Sequence, residues 1–363
     1  MGGLGHAAQP SAAAGLTTMD VSELDYALPP ELIAQSPVDP RDAARLLVYE
    51  RSHDVRQDRR FSELPGLLRV GDLLVRNDTR VLAARTHFRR ATGGRLEVLF
   101  LEAHDQGGKG DGGPAWETLV RGRPREGETL TSVADNEWQV RLLERLGDGR
   151  WLVRSLAREP VDVLLARHGS PPLPPYIKAR LADPERYQTI FAAHAGSAAA
   201  PTAGLHFTAD VERQLRTAGV EILDITLHVG LGTFKPLADG PVEGQRLHSE
   251  AFALPAGARE RIAAAKAAGG RVIAVGTTMV RLLETLARRA DEAAEQGRTD
   301  LFVYPGFEFV LVDGLITNFH LPRSSLLALV MAFCGVEQTR GLYRHAVEQR
   351  YRFYSFGDAM LIL

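Results

Sequence analysis

Four loops in the second half of the sequence each carry a histidine among small, rigid or polar residues. They are PTAGLHFT with His206, LHVGLGTF with His228, LHSE with His248 and TNFHLP with His320. An imidazole titrates near neutral pH and can therefore act as a general acid or base. Because catalytic residues concentrate on loops held by a rigid scaffold, we expect these loops to form one wall of an active site.

Glycines and threonines in this half of the sequence predict close contact with a ligand. Gly230 and Gly232 follow the second of the four histidines and let a ligand approach the backbone. Thr277 and Thr278 follow the apolar run RVIAVG and begin a predicted helix, whose free N–H groups can hold an anion. Simple N-capping by one of the threonines explains the same residues without a ligand. The sequence leaves both interpretations open.

The spacing of the histidines favours neither a metal site nor a serine nucleophile. The histidine loops contain no HxH or HExxH pattern, and the sequence has no GxSxG motif. Its one cysteine, Cys334, lies in the apolar run LLALVMAFCG and is predicted to be a buried core residue. A cysteine-based zinc site and an internal disulfide are therefore excluded. We expect an enzyme that uses no metal.

Length and composition indicate a cytoplasmic protein of two domains. The chain has 363 residues, 45% of them hydrophobic and 24% charged, with a formal net charge of −2. This net charge does not require a nucleic-acid partner, although it leaves room for a local basic face. No apolar run is long enough to span a membrane. Residues 1–18 make a poor signal peptide, and we expect a disordered extension there, or translation that starts at Met19.

The regions 19–69 and 159–363 are predicted to form an α/β catalytic domain with a mostly parallel sheet. Strand-like runs such as RLLVYER and RVIAVG alternate with amphipathic segments such as TADVERQLRTAG and ARERIAAAKAAGG, which end at glycine. The apolar end of the chain, AMLIL, is predicted to be a closing strand. This alternation is typical of α/β proteins.

The region 70–158 has a different pattern, and we expect an inserted antiparallel β-domain there. Short apolar runs are separated by turn signals such as TGG at 92–94, and a glycine-rich loop is predicted at 105–114. Many closely spaced short strands indicate a barrel or a sandwich. The same region has a surplus of arginine, which predicts a basic surface.

Ten ordered segments resemble the S-adenosylmethionine:tRNA ribosyltransferase-isomerase family of queuosine biosynthesis. The similarity extends from about Asp20 to the C-terminus. The segments are GDLLVRNDTRV (71–81), LPPYI (173–177), YQTIFA (187–192), AAPTAGLHFT (199–208), TLHVGLGTFKP (226–236), HSE (248–250), RVIAVGTTMVRLLE (271–284), VYPGF (303–307), TNFHLPRSSLLALVMAF (317–333) and YRFYSFGDAMLI (351–362).

This resemblance implies both a fold and a reaction. The fold is an α/β domain with an inserted six-stranded antiparallel β-barrel. The reaction transfers the ribosyl part of S-adenosylmethionine to 7-aminomethyl-7-deazaguanine at the wobble position of tRNA with a GUN anticodon. Epoxyqueuosine forms, and adenine and methionine leave. The resemblance implies S-adenosylmethionine as co-substrate, no metal, no membrane and a monomer.

The chemistry of that reaction suggests roles for the loop residues. A base must act near the carbon beside the sulfonium, and an acid must assist the departing adenine. We expect the four histidines to contain both, with Glu250 and Asp78 positioning or neutralising cationic groups. Thr277, Thr278 and Arg281 are candidates for holding the methionyl carboxylate.

Further residues complete the prediction. The remaining candidates for substrate binding are Asn77, Arg80, Thr202, Gly204, Gly230, Gly232, Thr233, Phe234, Tyr304, Asn318, Tyr354 and Asp358. The candidates for tRNA phosphate contacts are Arg85, Arg89, Arg90, Arg121 and Arg123.

The sequence departs from the family pattern at three positions. Gln245 and Leu247 replace a histidine and a methionine before HSE, and Ala83 replaces a proline after NDTR. Two alternatives therefore remain. One is an S-adenosylmethionine-dependent enzyme of the same fold with a different acceptor, and the other is a non-catalytic RNA-binding protein that uses the barrel.

Overall fold

The computed structural model describes residues 19–104, 114–147, 149–179, 181–230, 237–289 and 294–363. The predicted extension 1–18 and nearly all of the predicted loop 105–114 lie outside these residues.

Strands account for much of the described chain. In order they are β1 (Arg45–Glu50), β2 (Val55–Arg60), β3 (Leu73–Asn77), β4 (Thr79–Val81), β5 (Arg85–Arg89), β6 (Arg95–His104), β7 (Ala115–Arg121), β8 (Thr129–Ser132), β9 (Gln139–Gly147), β10 (Arg150–Ser155), β11 (His194–Ser197), β12 (Glu221–Leu227), β13 (Glu250–Ala253), β14 (Val272–Val275), β15 (Gln296–Thr299), β16 (Gly314–Asn318) and β17 (Ala359–Ile362).

The α-helices lie mainly in the C-terminal half. They are α1 (Val161–His168), α2 (Ala209–Thr217), α3 (Ala258–Ala267), α4 (Thr277–Arg288), α5 (Ser325–Cys334) and α6 (Val336–Glu348). Hydroxyl side chains fix two of their starts, because Thr208 caps α2 and Ser324 caps α5 by accepting backbone N–H bonds. Short 3-10 helices join these elements, and the one at Thr202–His206 holds the PTAGLHFT segment.

Nine strands form one sheet in the order β15-β13-β12-β3-β14-β16-β17-β1-β2. The four central strands β12, β3, β14 and β16 run parallel to one another, and β17 and β1 run parallel to each other. Antiparallel strands complete both edges. The predicted α/β class is therefore confirmed.

Burial along β3 alternates between two cores. Leu73 and Val75 join a cluster with Met279 of α4 on one face. Leu74 joins a second cluster with Leu215 of α2 on the other face. Because helices cover both faces, the strand is apolar at consecutive positions, as is usual for central parallel strands.

The inserted region forms a closed six-stranded antiparallel barrel in the order β10-β7-β6-β5-β8-β9. The predicted TGG turn connects β5 to β6, and Gly93 there has a φ of +87°, which favours glycine. Phe88, Phe100 and Trp138 fill the interior, and Leu164 of α1 packs into the same cluster. The predicted barrel is confirmed.

The predicted limits of the inserted region need a correction. Its strands begin at Arg85 rather than at residue 70, because β3 lies in the middle of the large sheet and β4 pairs with β11. Helix α1 packs on the barrel, although its sequence was assigned to the α/β part. A short apolar run such as LLVRN does not reveal which sheet it joins. We propose residues 85–168 as the inserted unit.

Candidate active site

Four parallel strands end at the same edge of the sheet, and a predicted functional residue follows each of them. Asp78 follows β3, His228 follows β12, Thr277 follows β14 after a single glycine, and His320 lies just beyond β16. The chain passes from β3 to β12 on one side and then to β14 on the other. The gap between β3 and β14 is thus a topological switch point, where open α/β sheets bind ligands.

A cleft with about 670 Å³ of empty space, including the part open to solvent, lies at this edge. The strand ends, the Thr202–His206 helix and the start of α4 surround it. The predicted residues that line it are Thr202, Thr277, Thr278, Asn318, His320 and Tyr354.

The start of α4 is open on the cleft side. Gly276 occupies the N-cap position with a φ of +92°, and no side chain makes a capping hydrogen bond there. The simpler explanation of Thr277 and Thr278 as N-cap residues is therefore wrong. A helix start without a side-chain cap offers its N–H groups and the positive end of its dipole to an anion.

His320 lies in the cleft as a neutral imidazole. Its Nε2 lies 2.8 Å from the Thr317 hydroxyl, whereas Nδ1 has no hydrogen-bond partner in the described part of the chain. Burial lowers the pKa of His320 to about 3. Asn318 beside it accepts a hydrogen bond from Thr202 and donates one to the Tyr354 carbonyl, which fixes its amide.

A larger pocket, with about 1400 Å³ of empty space including its open side, lies between the barrel and the sheet. The predicted residues that line it are His228, Gly230, His248 and Glu250. The barrel contributes Leu101, Glu102, Glu117, Leu119 and Arg150. Val229 lines both this pocket and the cleft, so the two cavities adjoin.

His228 is held against the wall of this interdomain pocket. Its Nδ1 lies 2.8 Å from the Thr79 hydroxyl. A Cβ at Gly196 would lie 2.6 Å from the imidazole Cε1, so only glycine leaves room for the ring. Burial lowers the pKa of His228, and the nearby His194 lowers it further.

His194 is a residue of this region that the sequence analysis missed. Its Nδ1 lies 3.2 Å from an Asp78 carboxylate oxygen, and the other Asp78 oxygen accepts a 2.7 Å hydrogen bond from Thr226. The only signal available was its position just before the AAPTAGLHFT segment.

Glu250 in the pocket wall forms a buried ion pair with Arg281, which lies behind it. The Arg281 Nη1 lies 2.6 Å from Glu250 Oε2, and their side chains are 3% and 2% exposed. The other Glu250 oxygen accepts a 3.0 Å hydrogen bond from Gly230 N–H. Arg281 also donates to the Leu301 carbonyl. Arg281 lines neither cavity, so its contact with a substrate carboxylate stays a prediction.

His206 lies beneath the cleft rather than in it. The ring stacks on Phe61 at a centroid distance of 5.1 Å, and Nε2 lies 2.9 Å from the Gly357 carbonyl oxygen. The residue is 4% exposed, and burial lowers the pKa of its imidazole. This position fits a group that holds the PTAGLHFT segment against the loop before β17.

Other predicted residues also support loops. The Asn77 side chain bonds to both backbone groups of Leu227, and Asp358 accepts bonds from the backbone of Arg45 and Arg352.

Several predicted residues lie away from both cavities or outside the residues that the structure describes. Gly204 is buried with no room for a Cβ beside Phe191 and Thr189. Arg80 pairs with Glu185 at the surface, and Tyr304 is half-buried beside Phe302. Gly232, Thr233 and Phe234 lie outside the described residues.

The five predicted tRNA-binding arginines differ in exposure. Arg89, Arg121 and Arg123 are exposed on the barrel. Arg85 and Arg90 are half-buried. Both already have partners within the protein, because Arg85 donates to the Leu173 carbonyl and Arg90 pairs with Glu128 at 3.2 Å.

The described residues contain neither a metal-binding cluster nor a membrane-spanning helix. No group of three or more His, Cys, Asp or Glu side chains in these ranges is arranged to hold a metal ion. Within the same ranges, no helix is long and apolar enough to cross a membrane.

The fold and the site define an α/β protein with two adjoining cavities at the ends of parallel strands. Residues of the inserted barrel line one of them, the interdomain pocket. Residues 21–362 match the family model described as "Queuosine biosynthesis protein", and the chain belongs to this family.

Its relatives include two S-adenosylmethionine:tRNA ribosyltransferase-isomerases. The one from Moorella thermoacetica is 50% identical over 95% of this chain and 100% of its own length. The one from Thermotoga maritima is 46% identical over the same shares. The crystal structure of the S-adenosylmethionine tRNA ribosyltransferase from Thermotoga maritima matches 94% of this chain and 100% of its own, with 38% identity and a TM-score of 0.54.

Proposed function

We propose that this protein is an S-adenosylmethionine:tRNA ribosyltransferase-isomerase. The observation that carries the proposal is the pair of adjoining cavities that share Val229, because the reaction must hold two substrates side by side. The names of relatives that match along their full length support it. In this proposal the cleft takes S-adenosylmethionine and the interdomain pocket takes the modified base of the tRNA.

The finer substrate assignment follows the family resemblance. The acceptor is 7-aminomethyl-7-deazaguanine at the wobble position of GUN tRNAs, and the product is epoxyqueuosine. S-adenosylmethionine supplies the ribosyl group, and adenine and methionine leave. We place the protein in the cytoplasm, as a monomer that needs no metal.

The environments of the histidines suggest which of them transfer protons and which position other groups. His228 has a lowered pKa and faces the interdomain pocket, so it is neutral at pH 7 and suited to take a proton. His320 offers a neutral imidazole to the cleft. His248 also lines the interdomain pocket and is a second candidate for proton transfer. We assign His206 and the Glu250–Arg281 pair to positioning, because each of them makes hydrogen bonds to the backbone of a neighbouring loop.

Release of adenine from S-adenosylmethionine tests the proposal. We expect release only when tRNA carrying the deazaguanine base is present, with at least a hundredfold loss in His228→Gln. The matched control is His53→Gln, which changes a histidine at the exposed turn after β1. Release that does not depend on the modified base would favour a different acceptor. No release, with RNA binding retained, would favour a binding protein.

A further inference from the structure

Tyr176 and Tyr354 form an aromatic wall at one end of the cleft. Their ring centroids are 4.7 Å apart, the ring planes are tilted by 56°, and both residues line the cavity. The Tyr176 hydroxyl lies 2.6 Å from the hydroxyl of Ser355, which also lines the cleft. Tyr176 was not among the residues predicted for the site, although it lies in LPPYI, one of the ten segments that resemble the family.

The backbone of Tyr354 is held in a conformation that tyrosine rarely adopts. Its φ is +71°, in the left-handed region that favours glycine. Three bonds hold it there: its N–H donates to the Phe319 carbonyl, and its own carbonyl accepts from Asn318 and from Gly357 N–H. Strain of this kind concentrates at ligand sites. An aromatic ring kept at such a position therefore points to a use for that ring.

The order of strands fixes what lies on either side of this wall. The uncapped start of α4 follows β14, Asn318 and His320 lie at the end of β16, and Tyr354 precedes β17. These strands are neighbours in the order β14-β16-β17. With two strand spacings between the ends, the helix start and the tyrosine wall are about 10 Å apart. The cleft therefore has an anion-binding end, a polar middle and an aromatic end.

We propose that Tyr176 and Tyr354 hold the purine of an adenosyl sulfonium substrate, with one ring stacked on the purine and the other, tilted ring against its edge. This inference rests on the proposed function. Such a substrate is elongated, with its carboxylate and purine at opposite ends and its sulfonium between them. The carboxylate fits the start of α4, the sulfonium then lies beside Asn318 and His320, and the purine reaches the tyrosines. Stacking on aromatic rings is the usual way in which proteins hold bases.

Binding of substrate fragments without tRNA tests this orientation. The probes are 5′-methylthioadenosine, which contains the purine, and methionine, which contains the carboxylate end. We expect Tyr354→Leu and Tyr176→Leu to weaken methylthioadenosine binding about tenfold to a hundredfold. Methionine binding should stay within about threefold of wild type. The matched controls are Tyr354→Phe and Tyr176→Phe, which keep the rings and should keep purine affinity.

A measurement on the unsubstituted protein covers the case in which a leucine variant does not fold. We expect nuclear Overhauser effects between tyrosine ring protons and the purine protons H2 and H8, lost when the tyrosines are deuterated. The proposal is overturned if these effects are absent, if wild type does not bind methylthioadenosine, or if the leucine variants weaken methionine as much as the purine probe. Greater loss for S-adenosylmethionine than for its uncharged thioether analogue would assign the rings to the sulfonium instead. Fragment binding needs no tRNA, so these results are separate from the adenine-release assay.

Discussion

The Glu250–Arg281 ion pair gives the sharpest test of how this site is built. The two side chains are almost fully buried and meet at 2.6 Å. Substituting Glu250 with Gln removes the negative charge but keeps an acceptor for Gly230 N–H. The Arg281 guanidinium then stays buried without a counter-charge. Breaking a buried pair from one side costs about 3–5 kcal/mol. That cost is a large part of the free energy of unfolding of a folded protein, which is roughly 5–15 kcal/mol.

The double variant separates the charge from the rest of the site. The double variant, Glu250→Leu with Arg281→Met, removes both charges. Its loss of unfolding free energy should be about 2–3 kcal/mol smaller than the sum of the losses in Glu250→Leu alone and Arg281→Met alone. Urea unfolding followed by far-ultraviolet circular dichroism measures each free energy. The matched control is Glu337→Gln, which breaks an exposed pair with Arg340 and should cost less than about 1 kcal/mol. Glu250→Gln within about 1 kcal/mol of wild type, or full additivity in the double variant, would refute the reasoning.

Three further predictions follow from single features of the structure. His320 has a pKa of about 3 in the folded state, below its ordinary value of 6.5, so the unfolded chain binds more protons between these values. Stability should therefore fall as pH drops below about 7, and more steeply in wild type than in His320→Gln, as urea midpoints at pH 7 and pH 5 would measure. Gly196→Ala should destabilise the fold by about 1–3 kcal/mol, because the new Cβ meets the His228 imidazole. Gly230→Ala, whose Cβ meets no atom of the described residues within 4 Å, should stay within about 0.5 kcal/mol in thermal unfolding. Arg121→Gln should reduce the salt slope of tRNA binding by about 1, whereas Arg85→Gln, already bonded to a carbonyl, should leave the slope unchanged in filter-binding titrations.

The sequence predicted the elements of the fold better than their grouping. The apolar runs, glycine stops and the TGG turn correctly located β1, α2, α3 and the β5–β6 hairpin. The boundary at residue 70 was wrong because β3 is buried on both faces, which a short run cannot reveal. Which strands become neighbours depends on contacts between residues far apart in the chain.

The sequence predicted which loops matter, but not which face each side chain takes. His206 and His320 both lie beside a phenylalanine in a loop, yet one is buried beneath the cleft and the other lines it. Arg281 follows Thr277 by one helical turn, which suggested a shared anion site. The structure instead pairs it with Glu250 from a different strand. Such partners are set by sheet order, which no local pattern contains.

The position of the insertion explains how one active site can serve a small substrate and a macromolecule. The chain leaves the sheet edge at Asp78, forms β4 and the barrel, and returns along β11 beside β4. The barrel is therefore tethered at the same edge that holds the cleft, and Glu102 and Glu117 form part of the pocket next to it. Arg298 links the two parts, because it donates to Glu102 on the barrel and to the Ser249 carbonyl on the sheet side. In the proposed reaction, RNA that contacts the exposed barrel arginines would present its base to the interdomain pocket, which the barrel helps to form. Val229 lines both cavities, so the ribosyl group would pass from the cleft to the base beside this residue.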